Sequence, residues 1–286
     1  MKHSSPIVCI LGLLLCQAGS IAAQATPQAH RTIPVVSAAE APPGCEKLAV
    51  QWVKVAGPEH GSMLAAVARP QGGGPFPAVI LLHGSHGFAR QYVQLAQDLA
   101  HGGVIAVAAC WFSPGVGPGL RFVTPIACPD APSMPNASDP AALQSVDVLV
   151  RAVRTLPSVR ANRVGLFGHS RGAGAALNYA LSGANQVQAV VLNSGGYPNE
   201  IAGRAREVKA PVLILHGAAD GAADGGSAVT DVQMARRFEA ALRRAGRPVE
   251  AMYYDGAGHN GIFSNASQYD DEVKRIIAFL GHHLAS

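Results

Sequence analysis

Residues 163–174 read RVGLFGHSRGAG, and this stretch decides the fold. An apolar run, Val164 to Phe167, meets a Gly-x-Ser-x-Gly turn at Gly168-His169-Ser170-Arg171-Gly172. A small-residue run follows, extending to Leu181. A short apolar run bounded by glycine reads as a buried strand, and the run after it as a helix. The turn between them must be sharp enough to lift Ser170 above the strand ends. That forces Ser170 toward positive φ, a conformation costly for any side chain larger than glycine and kept where function uses it. Gly168 and Gly172 remove the two side chains that would collide in such a turn. The new helix would aim its first amides at whatever charge develops beside Ser170. The five-residue motif is weak by itself; its placement between strand and helix gives it weight. The plainer alternative is an ordinary turn with a capping serine.

Outward from this turn the chain alternates. Leu48–Val55 and Met63–Ala68 are strand-like, joined by a Gly-containing connection that suggests a hairpin. Ala78–Leu82, Val104–Ala109, Arg163–Phe167, Val187–Leu192, Pro211–Leu215 and Val249–Tyr254 are further apolar runs of strand length. Helical periodicity falls at Phe88–His101, Pro140–Leu156, Arg171–Leu181, Val229–Arg244 and Gln268–His282, with Asp139 and Pro140 as a start signal. Strands alternating with helices predict an α/β fold, a mainly parallel sheet of about eight strands covered on both faces. In such sheets ligands meet the carboxyl ends of the strands.

Composition sets the bounds. The chain has 286 residues, 49% hydrophobic and 14% charged, with a formal net charge of +4. That is a globular composition of one-domain length. The mild, dispersed basic excess is unlike that of a nucleic-acid binder. Residues 1–25 read as a signal peptide: Lys2 and His3, an apolar run Ile7–Leu15 too short to span a bilayer, and an Ala23-Gln24-Ala25 cleavage site, with Ala22 or Ala23 as alternatives. A lipoprotein reading would acylate Cys16, but Leu15 is bulky where a small residue is expected. Residues 26–44, rich in Ala, Pro and Ser, read as a linker or arm, and the domain is expected over residues 45–286. No other run is apolar and long enough to cross a membrane, so the mature chain is expected to be secreted or periplasmic. Export permits disulfides. Cys110 and Cys128 bracket a Pro/Gly-rich loop and are paired here; three buried free thiols are the alternative.

A serine hydroxyl needs a base, and the base needs a group that orients it. Residues 211–220, PVLILHGAAD, carry Asp220 just past a strand end. Asp224 ends a second GAAD and competes for the role, but lies farther from the strand. Residues 250–261, EAMYYDGAGHNG, carry His259 in a Gly-rich loop. Ser170, Asp220 and His259 therefore form the candidate triad. Backbone N–H groups of Arg171 and of the loop His83-Gly84-Ser85-His86-Gly87 are the candidate oxyanion donors, with Ser85 first and His86 next. Trp111, Phe112, His169 and Phe88 are candidates for a substrate pocket from position alone. The remaining histidines show no metal-site spacing. No metal or cofactor is expected.

Four segments together, ILLHGSHG (80–87), GLFGHSRGAG (165–174), LILHGAAD (213–220) and YDGAGHNG (254–261), resemble the α/β-hydrolase superfamily, in particular its dienelactone-hydrolase-like and secreted-esterase branch. The resemblance runs from about residue 60 to the end. It implies a cofactor-free hydrolase with its triad on Ser170, Asp220 and His259. Dienelactone hydrolases proper use a cysteine nucleophile, so Ser170 points toward a general esterase acting on small-molecule or polymeric esters through an acyl-enzyme. The short stretch between Val187–Leu192 and Pro211–Leu215 leaves no room for a large cap domain. A peptidase or amidase of the same fold is the alternative within the class. A non-catalytic binding protein on a hydrolase scaffold is the alternative outside it.

Overall fold

The computed structural model describes Met1 and residues 33–285, apart from 58–59, 114–121, 183–186 and 222–227. The signal-peptide expectation and the competing Asp224 lie outside the described residues. Nine strands form one sheet: β1 (Val35–Ala38), β2 (Gln51–Gly57), β3 (His60–Ala68), β4 (Phe76–Leu82), β5 (Ile105–Ala109), β6 (Val159–His169), β7 (Ala189–Asn193), β8 (Val212–Gly217) and β9 (Val249–Tyr254). Their order is β1-β2-β3-β5-β4-β6-β7-β8-β9. β1, β2, β3 and β5 pair antiparallel, and every pairing from β5 through β9 is parallel.

The parallel strands are apolar throughout because both faces are covered. Ile80, Leu82, Val107, Leu166, Val190 and Ile214 point to one face. There they meet α2 (Pro140–Arg154), α3 (Arg171–Leu181) and α5 (Val232–Arg244) through residues such as Val146, Leu177 and Phe238. Val79, Leu81, Ala106, Phe167, Val191 and Leu213 point to the other, against Tyr92 and Leu95 of α1 (Arg90–His101) and Ile276 and Phe279 of α7 (Ala266–Leu284). The strict alternation of neighbours between faces follows from the two-residue period of a strand.

Two expectations are revised. The count is nine strands, because β1 lies within the segment read as a linker and adds an edge to β2. Its four residues sit among Ala, Pro and Ser, too short a run to stand out. The folded unit therefore begins before Cys45. Between β7 and β8 the chain forms only α4 (Asn199–Gly203) and a 3-10 turn at Ala205–Glu207, with no inserted cap. Cys110 and Cys128 lie at disulfide distance, with Cα atoms 6.6 Å apart, while Cys45 is buried and free. No helix among the described residues is long and apolar enough to cross a membrane.

Candidate active site

The turn after β6 has the expected strain. Ser170 adopts φ 55°, ψ −116°. A Cβ on Gly168 would overlap the backbone of Gly172 and Ala173, and one on Gly172 would overlap the carbonyls of Leu82 and His83. Both glycines are thus required for the elbow to close against β4. Ser170 is tied down by its own N–H, which donates to the Asn193 carbonyl at the end of β7.

The loops after β8 and β9 lie side by side. The Ala218 N–H donates to the Tyr254 carbonyl, and the Ala219 N–H to the Ala257 carbonyl. Gly217 permits this approach, since a Cβ there would overlap the Ala257 and Gly258 carbonyls. The zipped loops bring Asp220 and His259 together. His259 Nδ1 lies 2.8 Å from Asp220 Oδ2, and its Nε2 lies 2.9 Å from Ser170 Oγ. Asp220 is buried, which alone would raise its pKa. Hydrogen bonds from His216 and His259 more than offset that and hold the carboxyl below its ordinary value. Thr230 Oγ1 reaches the other oxygen, Oδ1, at 3.3 Å.

The loop after β4 faces the elbow. In it the Gly84 N–H donates to Tyr92 Oη and the Gly87 N–H to the Gly84 carbonyl. That leaves the N–H groups of Ser85 and His86 as the donors of this turn. The Arg171 side chain bridges the two candidate donor segments. Its Nε donates to Ser85 Oγ at 3.0 Å, and Nη1 donates to the Pro135 carbonyl at 2.7 Å. Tyr92 Oη also contacts His86 Nε2 at 3.0 Å. Burial, with the nearby His259 ring, lowers His86 to about 4, so it is neutral near pH 7.

The four residues expected to line a pocket do not reach an open surface. Trp111 and Phe112 are fully buried, Phe88 is 2% exposed, and all three rings pack around the buried His83. Trp111 Nε1 donates to the His83 carbonyl. The chain after β5 turns beneath the loop that follows β4 and buttresses it. His169 is fully buried as well. Partly exposed rings stand near His169 and His86 instead. Phe263, in α6 (Gly261–Ser264), packs 5.1 Å from His169 and 5.9 Å from His86, and Phe122 packs 6.2 Å from His86. Phe263 lies four residues past His259, so the helix that follows that histidine was the available signal.

Behind the elbow runs a buried polar chain. His169 Nδ1 donates to Asn193 Oδ1 at 2.6 Å, and Asn193 Nδ2 donates to Glu272 Oε2 at 2.6 Å. Gln268 Nε2 donates to Glu272 Oε1 at 2.7 Å. His169 Nε2 lies 3.2 Å from the carboxamide of Asn260, the residue after His259. Burial, together with His259 and His86, holds His169 well below the ordinary histidine value, so its ring is neutral. Burial pushes Glu272 up to about 8, since two amide donors lower it less than desolvation raises it.

The chain is similar to known hydrolases in sequence and in fold. The model of the dienelactone hydrolase family matches residues 63–280. A probable 2-oxo-3-(5-oxofuran-2-ylidene)propanoate lactonase from Bradyrhizobium sp is 29% identical over 226 residues, which cover 75% of this chain and 84% of that protein. Among solved structures, dienelactone hydrolase from Anabaena variabilis superposes with a TM-score of 0.57 at 20% identity, covering 88% of this chain and 100% of that one. An esterase from Pyrococcus furiosus gives 0.63 at 15% identity, covering 88% and 100%. These structural likenesses establish the α/β-hydrolase fold. The family match covers most of the sequence, and on it the chain belongs to the dienelactone hydrolase family.

Proposed function

We propose that this hydrolase cleaves carboxylic esters, cyclic esters included, by a serine mechanism on Ser170, His259 and Asp220. The observation that carries the reading is His259, whose two ring nitrogens reach Ser170 Oγ at 2.9 Å and Asp220 Oδ2 at 2.8 Å. In the first step Ser170 Oγ attacks the ester carbonyl while His259 Nε2 takes its proton. Asp220 accepts from Nδ1–H, which fixes the tautomer and stabilises the imidazolium as it forms. The tetrahedral oxyanion is held by the N–H groups of Arg171 and Ser85, each such donor being worth about 2.7–4 kcal/mol. His259 then gives its proton to the departing alkoxide, leaving an acyl-serine. A water, deprotonated by the same ring, then attacks the acyl carbonyl, and the proton passes from His259 to Ser170 Oγ as the acid leaves. In a lactone the leaving alkoxide stays tethered to the acyl group. The name of the Bradyrhizobium relative supports including that class.

The rings of Phe263, Phe122 and His86, rather than the four buried residues, are the surfaces placed to meet the acyl or alcohol group. The test is turnover of a panel of linear esters and lactones by wild type, Ser170→Ala, His259→Ala and the double variant. Residues acting as one unit lose nearly everything in either single variant, and the double loses little more. Additive losses, or esterase activity dependent on added zinc, would reject the serine mechanism. We further propose export through the residue 1–25 signal, a reading supported by the Cys110–Cys128 pair. Intact-mass measurement of exported protein reads both the cleavage and the pairing.

A further inference from the structure

We propose that His216 is a positioning residue of the triad, a second imidazole donor to the same Asp220 oxygen that orients His259. The proposal rests on the serine mechanism above. His216 lies near the end of β8 and is fully buried. Its Nε2 is 3.0 Å from Asp220 Oδ2 and 2.8 Å from the Thr230 carbonyl. Both partners are acceptors, so Nε2 carries the proton. The other nitrogen, Nδ1, is buried with no hydrogen-bond partner. A buried nitrogen without a partner destabilises the fold, and the surrounding residues of β8, Leu213 to Leu215, show that this strand otherwise takes aliphatic side chains. The ring's polar contribution is therefore concentrated on Nε2–H, which is shared between the Thr230 carbonyl, the nearer acceptor, and Asp220 Oδ2.

The consequence follows from sharing. Asp220 Oδ2 faces two imidazole N–H groups, from His216 and His259, while among the described residues Oδ1 accepts from the Thr230 hydroxyl. Each donor withdraws charge from the oxygen and weakens what the other feels. His216 thus keeps the carboxylate ionised in its buried position and moderates its grip on His259. It also fixes the direction in which Oδ2 points, since β8 is rigid and the Asp220 loop is not part of the sheet. Among the described residues, other titratable groups facing this cluster are Tyr197 from the segment after β7, whose ring is 6.4 Å from that of His216, and His169 and His86 on the far side of His259. Tyr197 is pushed upward by burial and the two histidines downward, so all three are neutral near pH 7. Asp231, at the start of α5, accepts from the Gln233 N–H and faces outward from the cluster.

Substitution can separate the donor from the bulk. The amide nitrogen of Gln reaches about as far as Nε2, and that of Asn only as far as Nδ1. His216→Gln should therefore stay within about threefold of wild-type kcat. His216→Asn should lose about tenfold in kcat with KM changed less than twofold, and the acid limb of its pH–rate profile should move to higher pH, because an unshared carboxylate holds the imidazolium proton more tightly. His216→Leu fills the same space without any donor and should behave like His216→Asn. A readout free of turnover is the low-field proton resonance of His259 Nδ1–H, which should move in the Asn and Leu variants and stay in place in the Gln variant. If the Asn and Leu variants keep the wild-type resonance and acid limb and lose only thermal stability, His216 is a packing residue and the proposal fails. Failure of the serine mechanism would show differently, as turnover retained by Ser170→Ala, and the resonance would still decide the role of His216.

Discussion

Two carboxyl groups are buried at the carboxyl end of the sheet, and the protein treats them in opposite ways. Asp220 is held below its ordinary value, whereas Glu272 is pushed up to about 8. Neither side chain is more than 2% exposed, although Glu272 lies deeper in the protein than Asp220. The partners differ. Asp220 accepts from two imidazole rings and a hydroxyl. Glu272 accepts from two carboxamides. Burial penalises a charge unless something nearby answers it. The pair shows how one fold holds one carboxyl below its ordinary value beside His259 and another above it beside Asn193, whose carbonyl accepts from the Ser170 N–H. The Gln268 amide oxygen has no partner. Turned about, that carboxamide would accept the proton a neutral Glu272 offers.

The largest test of this contrast is loss of the charge on the Asp220 side. Asp220→Asn leaves the shape intact but offers His259 a group that can present the wrong hydrogen-bonding face. The expected loss in kcat is about 10⁴-fold, with the circular dichroism spectrum unchanged. Retention of activity would move the acid elsewhere, to Asp224 first.

The Glu272 side reads out as stability. Folded Glu272 keeps its proton up to about 8, whereas the unfolded chain releases it near the ordinary carboxylate value. Between those two pH values the folded state binds more protons, so this group makes stability fall as pH rises, by up to about 1.4 kcal/mol per pH unit. Glu272→Gln removes that dependence. Its melting temperature relative to wild type should climb steadily from pH 5 to pH 8. A flat difference would mean that Glu272 is ionised in the fold. Asp220 has the opposite sign: its contribution is present above the ordinary carboxylate value and is lost as pH falls.

The smallest expected effect is on turnover by that same variant. A neutral carboxamide can replace a neutral carboxylic acid, so Glu272→Gln should keep kcat at pH 7 within about threefold of wild type. A loss comparable to that of Asp220→Asn would erase the distinction between the two carboxyls.

The sequence made one side of this contrast legible and hid the other. The elbow was readable because its glycines answer a steric demand that no other residue meets. Asp220 and His259 were readable because each follows an apolar strand in a turn-rich loop. Glu272 was hidden because, on an amphipathic helix, a Gln268–Glu272 pair four residues apart looks like a solvated stripe. Only the packing of α7 against the sheet turns it inward. Trp111 and Phe112 misled for a related reason. Their position after β5 placed them at the correct end of the sheet, but nothing in a linear pattern says whether a side chain there faces the opening or the layer beneath. β1 escaped because four residues carry too little periodicity to register.

The central claim is that Ser170 is the nucleophile and that His259 activates it. A fluorophosphonate needs only that pair to react, so it tests the claim without knowledge of the substrate. Mass spectrometry of the labelled wild-type protein should locate one adduct, on Ser170. The adduct should be absent from Ser170→Ala and form far more slowly in His259→Ala. An adduct on another residue, or labelling of His259→Ala at the wild-type rate, would contradict the account.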